Sequence, residues 1–437
     1  MAQSLFSGRR IAERIHDSLS DADVAQRLAP RQPTTEPLPE RLPAGNDFTA
    51  EGLATRQAFL KREYGFDLAA LEGAAGIPAA ETLRGNIENG IGMVQVPVGV
   101  LGPLRVNGLY AHGDYIVPLA TTEGAMVASY HRGAYVLSLA GGVSTMCLTE
   151  SVSRAPGFAF DNLIEAAGFM DWVLRNADSF RDAVAAATSH GHLIDIKLSS
   201  CGTLVYLIFE YQTGDAAGQN MVTVATEEVC QYIVAQSPYK PLRWYVEANL
   251  SGDKKASMLS FMGARGKKVV ASARVPAKLI QRFLHTDPAA MAEYCRVSAL
   301  GGVQSGTIGV QGHYANALAG LFLACGQDVA CVAEAAIGVT QMTVAPDGAL
   351  DVSVSLPNLV VGTVGGGTHL PTAQACLKML DCVGKGRARA FAEICAATVL
   401  AGEVSIIAAL AAGQFAGAHA RYRHKTPQPV LREKTSG

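Results

Sequence analysis

The chain has 437 residues, 49 % apolar and only 17 % charged, so it can fill a large core and is not a disordered protein. Its length suits one large domain of roughly 200–250 residues plus a second unit, or two to three ordinary domains. Lys+Arg number 36 against Asp+Glu 38, a formal charge of -2, which removes the bulk electrostatic case for a nucleic-acid or polybasic membrane binder.

Residues 1–45 are charged and then Pro-rich (Pro30, Pro33, Pro37, Pro39, Pro43) and read as a loose arm. The spacing of Leu60, Tyr64, Leu68 and Leu71 predicts helix within 51–80. Val94–Pro103 reads as strand and turn. Thr122-Glu123-Gly124 reads as a helix start with Thr121 or Thr122 as N-cap, and Ser129 and Arg132 share a face of that helix. Asn162–Ala186 reads as helix, Leu193–Leu198 and Leu204–Tyr211 as strands around a turn, and Asn220–Ala235 as helix again. This alternation predicts a compact α+β unit inserted at 155–245.

Residues 256–275 predict two strands around Gly263–Gly266. The uncharged run Val297–Gln327 is broken by Gln304, Gln311, His313 and Asn316, so it reads as core helix and not as a membrane span. Val352–Leu356 reads as a short strand, 389–418 as one long Ala-rich helix, and the tail from Ala420 as basic and loose. The 45 glycines carry no collagen period and point to close helix packing; the few charges point to a large buried interface. Nine cysteines without a CxxC pair argue against a disulfide framework or structural zinc and for a reducing compartment. Met1–Arg10 lacks the apolar stretch of a signal peptide.

No GxGxxG follows a strand and no GxxxxGK[ST] occurs, which disfavours the standard dinucleotide and P-loop folds. Lys254, in Asp253-Lys254-Lys255, suits an oxyanion stabiliser or anion clamp, or a solvated turn. Glu123 reads as a site acid or a first-turn acid. His313 and Asn316 lie in an apolar run where polar groups need partners. Asp328 follows Gly326-Gln327, and His419 either ends the last helix as a cap or serves a site.

Taken together the motifs are specific. Glu88–Gly92, Pro97–Val100, Ala120–Gly124, Asp215–Met221, Asp253–Lys255, Gly326–Asp328, Gly362–Thr368 and Ala401–Ser405 follow one another across about 85–425. In these motifs and their order the chain resembles the hydroxymethylglutaryl-CoA (HMG-CoA) reductase family in its soluble catalytic portion, closest to the eukaryote-type members. The resemblance implies an α+β fold: a large domain with a central helix (81–154 and 246–418), an inserted ferredoxin-like NAD(P)-binding domain (155–245), an N-terminal helical region (1–80) and a C-terminal flap (419–437).

It also implies a four-electron reduction of HMG-CoA to mevalonate and free CoA by two NAD(P)H. Lys254 would stabilise the oxyanion, Glu123 supply the proton, Asp328 hydrogen-bond both, and His419 protonate the departing CoA thiolate. Hydride attack puts negative charge on oxygen, which calls for a fixed cation, and a thiolate calls for an acid near neutrality. By the same resemblance Glu88, Ser129, Arg132, Arg154, Lys255, His313, Asn316 and Ser405 would bind substrate. Ser189, His190, Asp215, Ala217, Gly218, Gln219, Asn220, Gly365, Gly366 and Gly367 would bind cofactor, with no metal.

The active sites would be shared in a homodimer or dimer of dimers, in the cytoplasm, with neither nucleic acid nor membrane as partner. Three positions depart from the family pattern. His190 replaces an arginine that meets the 2′-phosphate, so NADPH is only slightly favoured over NADH. Glu247 stands for a serine and Val297 for a lysine, with Arg296 adjacent, which leaves open a different acyl-CoA or carrier-protein thioester. A retired CoA-ester-binding or structural protein is a third reading.

Overall fold

The computed structural model describes residues 5–16, 19–45, 47–73, 80–187, 191–263 and 265–413. Among the described residues there are ten strands: β1 (Val98–Gly108), β2 (His112–Ala120), β3 (Val143–Arg154), β4 (Gly157–Ala159), β5 (His192–Cys201), β6 (Leu204–Gln212), β7 (Arg243–Tyr245), β8 (Gly266–Val275), β9 (Val339–Val344) and β10 (Leu350–Leu359). The main path runs β7-β4-β6-β3-β8-β10-β9, with β1 beside β3, β2 beside β1 and β5 beside β6.

β3 belongs to both halves of this path. Ser144–Ser151 pair with β8, and Val152–Arg154 pair with β6. Beyond that junction lies a βαββαβ unit with antiparallel order β7-β4-β6-β5, the ferredoxin-like arrangement. Its helices Leu163–Arg175, Ala177–Ala187 and Gln219–Gln236 enclose a core of their own around Phe158, Phe169, Phe180, Phe209, Tyr211 and Val229. Asn162 starts the first helix by accepting from the N–H groups of Ile164 and Glu165.

The larger core surrounds the helix Ala388–Ala411, which packs on β3, β8 and β10 and on the helices Met126–Leu139, Pro288–Ser305 and Tyr314–Ala324. With a mean hydropathy of 2.1 over an 18-residue stretch it is long and apolar enough to cross a membrane, yet 83 % of that stretch is buried inside the protein. Its small residues explain the fit. A Cβ on Gly133 would stand 1.8 Å from the Ala401 carbonyl oxygen, and one on Gly402 would stand 2.1 Å from the Tyr130 ring. The two helices therefore cross with backbone in contact.

Four sequence expectations need correction. The arm is not loose over 28–37. Buried Arg105 donates to the carbonyls of Arg31, Glu36 and Pro37, and Arg31 donates to Asn107 Oδ1 and the carbonyls of Val106 and Gly113. The helix after Glu123 starts at Met126 behind Ala125, which has φ +67°, and neither Thr121 nor Thr122 caps it. Among the described residues of 256–275 only one strand occurs, and the first part of that range holds the helical turn Leu259–Met262. The last helix ends at Ala411, with Ala412 as its C-cap and Gly413 at φ +67°, short of the expected 418; Ser189, His190 and the 419–437 flap with His419 lie outside the described residues.

Candidate active site

Lys254 sits in a loop on a left-handed backbone, φ +55°. Its Nζ lies 2.8 Å from Asp328 Oδ2, and each side chain is about two-fifths exposed. The Asp328 hydrogen bond holds the ammonium above the usual lysine range. Lys255 turns away, its Nζ donating to the Asp253 carbonyl at 2.8 Å.

The motif residues around this pair come from distant elements. Gln219, the first residue of helix Gln219–Gln236, donates from Nε2 to Asp328 Oδ2 at 3.4 Å and to Cys331 Sγ at 2.8 Å. Asp215 accepts from the N–H groups of Gly386 (2.7 Å) and Ala388 (3.1 Å) at the start of the central helix. The Asp215 carbonyl accepts from Thr363 N–H, and the Gly362 N–H donates to Gln327 Oε1. A Cβ on Gly362 would meet Ala217 N at 2.5 Å, and one on Gly326 would meet the Gly367 carbonyl oxygen at 2.3 Å. The 215–221, 326–328 and 362–367 segments are thus packed backbone to backbone.

This seam fits a dinucleotide. Gly218 ends the helix N-terminus with φ +78° and no side-chain cap, so N–H groups there stay available to an anion. Gly365 and Gly366 have positive φ and open space where a Cβ would stand. Asn220 is exposed in the first turn of that helix.

A second cluster lies where the helix Met126–Leu139 crosses the central helix. Ser129 Oγ is 3.0 Å from Ser405 Oγ, and Arg132 donates from Nη2 to the Ser405 carbonyl at 2.8 Å and from Nε to its Oγ at 3.1 Å. Burial holds the Arg132 guanidinium below its usual range. Glu403, fully buried on the central helix, accepts from the N–H groups of Gly312 and His313, from Thr340 Oγ1 at 2.7 Å, and faces His313 Nδ1 at 3.3 Å. The His313 ring stacks on Tyr130 at 4.8 Å between centroids, and its Nε2 has no partner among the described residues.

Glu123 is exposed and accepts from Asn316 Nδ2. Within one chain its described side-chain partner is Asn316, and the Lys254–Asp328 pair stands without it, so the hydrogen bonds from Asp328 to both groups that the resemblance implies are not made inside a single chain. Asn316 lies at the start of helix Tyr314–Ala324 and Asp328 beyond its end. From Asn316 to the helix end at Ala324 is roughly 12 Å at 1.5 Å per residue, and Asp328 lies four residues further on. Glu88 lies in the exposed 85–95 stretch, where Ile91 and Val94 are uncovered, 104 % and 89 % exposed.

Arg154 is buried and occupied. Its Nη1 lies 2.6 Å from Asp253 Oδ2 and 3.5 Å from Glu247 Oε2, and its Nε donates to Thr223. Arg296 is engaged by Glu293, three residues before it on an exposed helix face, and Val297 is exposed. The sequence reading missed two buried residues beneath Lys254. Arg265 binds Glu334 through both carboxylate oxygens at 2.7 and 2.9 Å and reaches Asp253 Oδ1 at 2.6 Å. Glu334 Oε1 also accepts the Lys254 backbone N–H at 3.1 Å. Burial pushes the Glu334 carboxyl up to about 7, while Arg265 and the Lys254 N–H pull the other way. A signal existed: Glu334 is the only charged residue between Val329 and Pro346, and a lone charge in an apolar stretch calls for a buried partner. All nine cysteines are free, and no cluster of potential metal ligands occurs among the described residues.

Comparison with known proteins adds relatives. The family described as hydroxymethylglutaryl-coenzyme A reductase matches residues 52–424. The 3-hydroxy-3-methylglutaryl-coenzyme A reductase of Pyrococcus abyssi is 43 % identical over 372 residues, covering 83 % of this chain and 90 % of the relative. The reductase of the same name from Methanothermobacter thermautotrophicus is 40 % identical, covering 84 % and 92 %. Among solved structures, the class II reductase of Streptococcus pneumoniae bound to NADPH superposes with a TM-score of 0.69 at 17 % identity, over 85 % of this chain and 100 % of that one.

Proposed function

The chain belongs to the hydroxymethylglutaryl-coenzyme A reductase family and reduces HMG-CoA to mevalonate as an NAD(P)H-dependent oxidoreductase, and we propose that Lys254 is the cation that receives the developing oxyanion. The observation that carries this assignment is the Lys254–Asp328 pair at 2.8 Å beside the 215–221 and 362–367 seam. The nicotinamide cofactor supplies hydride when bound. The bare backbone of Gly218, Gly365 and Gly366 would hold its phosphates. Asp328 keeps Lys254 protonated, so the ammonium is charged when the carbonyl oxygen becomes negative.

Ser129, Arg132 and Ser405 offer a cation and hydroxyls to the CoA portion, and His313 Nε2 offers a free ring nitrogen. Arg154 and Lys255 are the basic groups assigned to the acyl carboxylate, with Arg154 shared between Asp253 and Glu247. Steady-state turnover of HMG-CoA with each cofactor, followed by mevalonate formation, tests the reading. Lys254→Ala should lose about 3–4 kcal/mol of transition-state stabilisation, a 10²–10³-fold fall in kcat. Turnover within tenfold of the unaltered enzyme would reject the assignment.

The proton donor Glu123 belongs, on this reading, to a site completed by a second copy, as homodimer or dimer of dimers. The span between Asn316 and Asp328 and the uncovered Ile91 and Val94 support it. Sedimentation should give at least a dimer, and Ile91→Asp with Val94→Asp should yield inactive monomer; an active monomer would contradict it. Both NADPH and NADH are expected as donors, NADPH slightly ahead, with His190→Arg raising the NADPH/NADH ratio of kcat/KM. His419→Gln should slow thioester turnover while sparing reduction of a free aldehyde analogue, because only the thioester releases a thiolate. The nine free cysteines support a cytoplasmic setting.

A further inference from the structure

Lys254 is a non-glycine residue at φ +55°, a conformation that persists only where the surroundings over-determine it. Its neighbours do so from below. Glu334 is 0 % exposed and Arg265 2 %, so their two hydrogen bonds lie out of reach of water. Arg265 also ties Asp253, the residue before Lys254, and Arg154 ties the other oxygen of that carboxylate. Glu334 Oε1 then accepts the Lys254 N–H itself. Six residues earlier on the same segment, Asp328 takes the Nζ of the same lysine. One stretch of chain therefore holds Lys254 at both ends, backbone and ammonium.

We propose that the buried Arg265–Glu334 pair is a positioning device that fixes the Lys254 backbone so that its ammonium meets Asp328 and the reacting oxygen. The proposal rests on the reading of Lys254 as the oxyanion cation. Its logic is geometric: the left-handed turn at residue 254 aims the N–H down into Glu334 and the side chain toward Asp328. Without an acceptor under the N–H, the loop relaxes toward ordinary φ and the ammonium swings away. A displacement near 1 Å at such a group costs about 10²-fold in rate.

Removing one member of a buried ion pair strands the other charge, so single neutral substitutions confound folding with function. The test uses two matched neutral pairs. Arg265→Met with Glu334→Gln keeps an acceptor oxygen under the Lys254 N–H; Arg265→Met with Glu334→Leu removes it. The expectation is similar melting temperatures, kcat at least about tenfold lower in the Leu pair than in the Gln pair, and KM for HMG-CoA within about threefold in both. Equal kcat in the two pairs, or a change confined to KM, would overturn the positioning role.

Where neither pair folds, Glu334→Asp keeps both charges and withdraws the carboxylate by one methylene. Its kcat should fall about tenfold at near-constant KM, and an unchanged kcat overturns the proposal. Lys254→Ala, run in parallel, separates the two ideas. If it retains near-normal turnover, the oxyanion assignment and the proposal fall together; if it is inactive while the two pairs behave alike, only the positioning role falls.

Discussion

Replacing Gly133 by alanine inserts one methyl group into the tightest helix crossing of the large domain. Its Cβ would lie 1.8 Å from the Ala401 carbonyl oxygen, 2.6 Å from the carbonyl carbon and 3.1 Å from Cα, all backbone atoms of the buried central helix. No side-chain rotation relieves such a contact. Restoring an ordinary carbon–oxygen separation of about 3.3 Å requires the helices to part by about 1.5 Å. Ser129 lies one turn before Gly133 and Ser405 one turn after Ala401, so the same movement takes their 3.0 Å hydroxyl contact out of hydrogen-bond range. The Arg132 bonds to Ser405 share that fate.

Overpacking costs about 1–3 kcal/mol, and three lost hydrogen bonds about 1 kcal/mol each. The gain in helix propensity from Gly to Ala returns about 1 kcal/mol. The net loss of about 3–5 kcal/mol lowers the melting temperature by on the order of 10 °C for a domain of this size. Calorimetry supplies that value, and KM for HMG-CoA should rise because the assigned CoA-binding cluster is displaced. Gly301→Ala is the control: its Cβ meets nothing within 4 Å, so it should be neutral or slightly stabilising. A Gly133→Ala enzyme that melts and binds normally would refute the close-crossing argument.

Asp328→Asn removes the main cause of the raised Lys254 pKa, so the alkaline limb of the pH–kcat profile should move to lower pH; an unmoved limb would mean that the pair does not govern the charge. Asp215→Ala frees the Gly386 and Ala388 N–H groups, should cost about 1 kcal/mol by urea unfolding, and should raise KM for the cofactor, because Asp215 joins the 362–367 loop to the central helix. Burial pushes Glu393 up to about 7 against three opposing backbone N–H bonds. The folded chain therefore holds a proton there more tightly than the unfolded one. That contribution is complete below about pH 4.5, is lost as pH rises through about 7, and amounts to about 3 kcal/mol. Urea unfolding at pH 5 and pH 8, referenced to Glu393→Gln, should show this slope, and a pH-independent difference would exclude it.

The order and spacing of the motifs, and with them the family and reaction, were legible in the chain because each depends on local residue types. A compact α+β unit at 155–245 was legible too, since alternation of period near two with period near 3.6 is a property of neighbouring residues, and Asn162 marks its first helix; its ferredoxin-like order came only with the resemblance. Lys254 and Asp328 stood out as charges in apolar surroundings. What they face was not readable, because pairing across 74 residues of sequence leaves no periodic trace. The same holds for Arg265 with Glu334 and for Glu403 with His313. The helix start behind Glu123 was misread since a threonine with a following acid is a good cap only where the backbone allows it, and Ala125 at φ +67° moves the start to Met126. The proline-rich arm reads as loose by composition, yet buried Arg105, paired with Asp114 on the neighbouring strand, finds its remaining acceptors in the arm's carbonyls. Composition determines how much surface a chain must bury; only the assembled fold decides which distant polar group each buried charge meets, because that choice is made by long-range geometry that every local pattern leaves open.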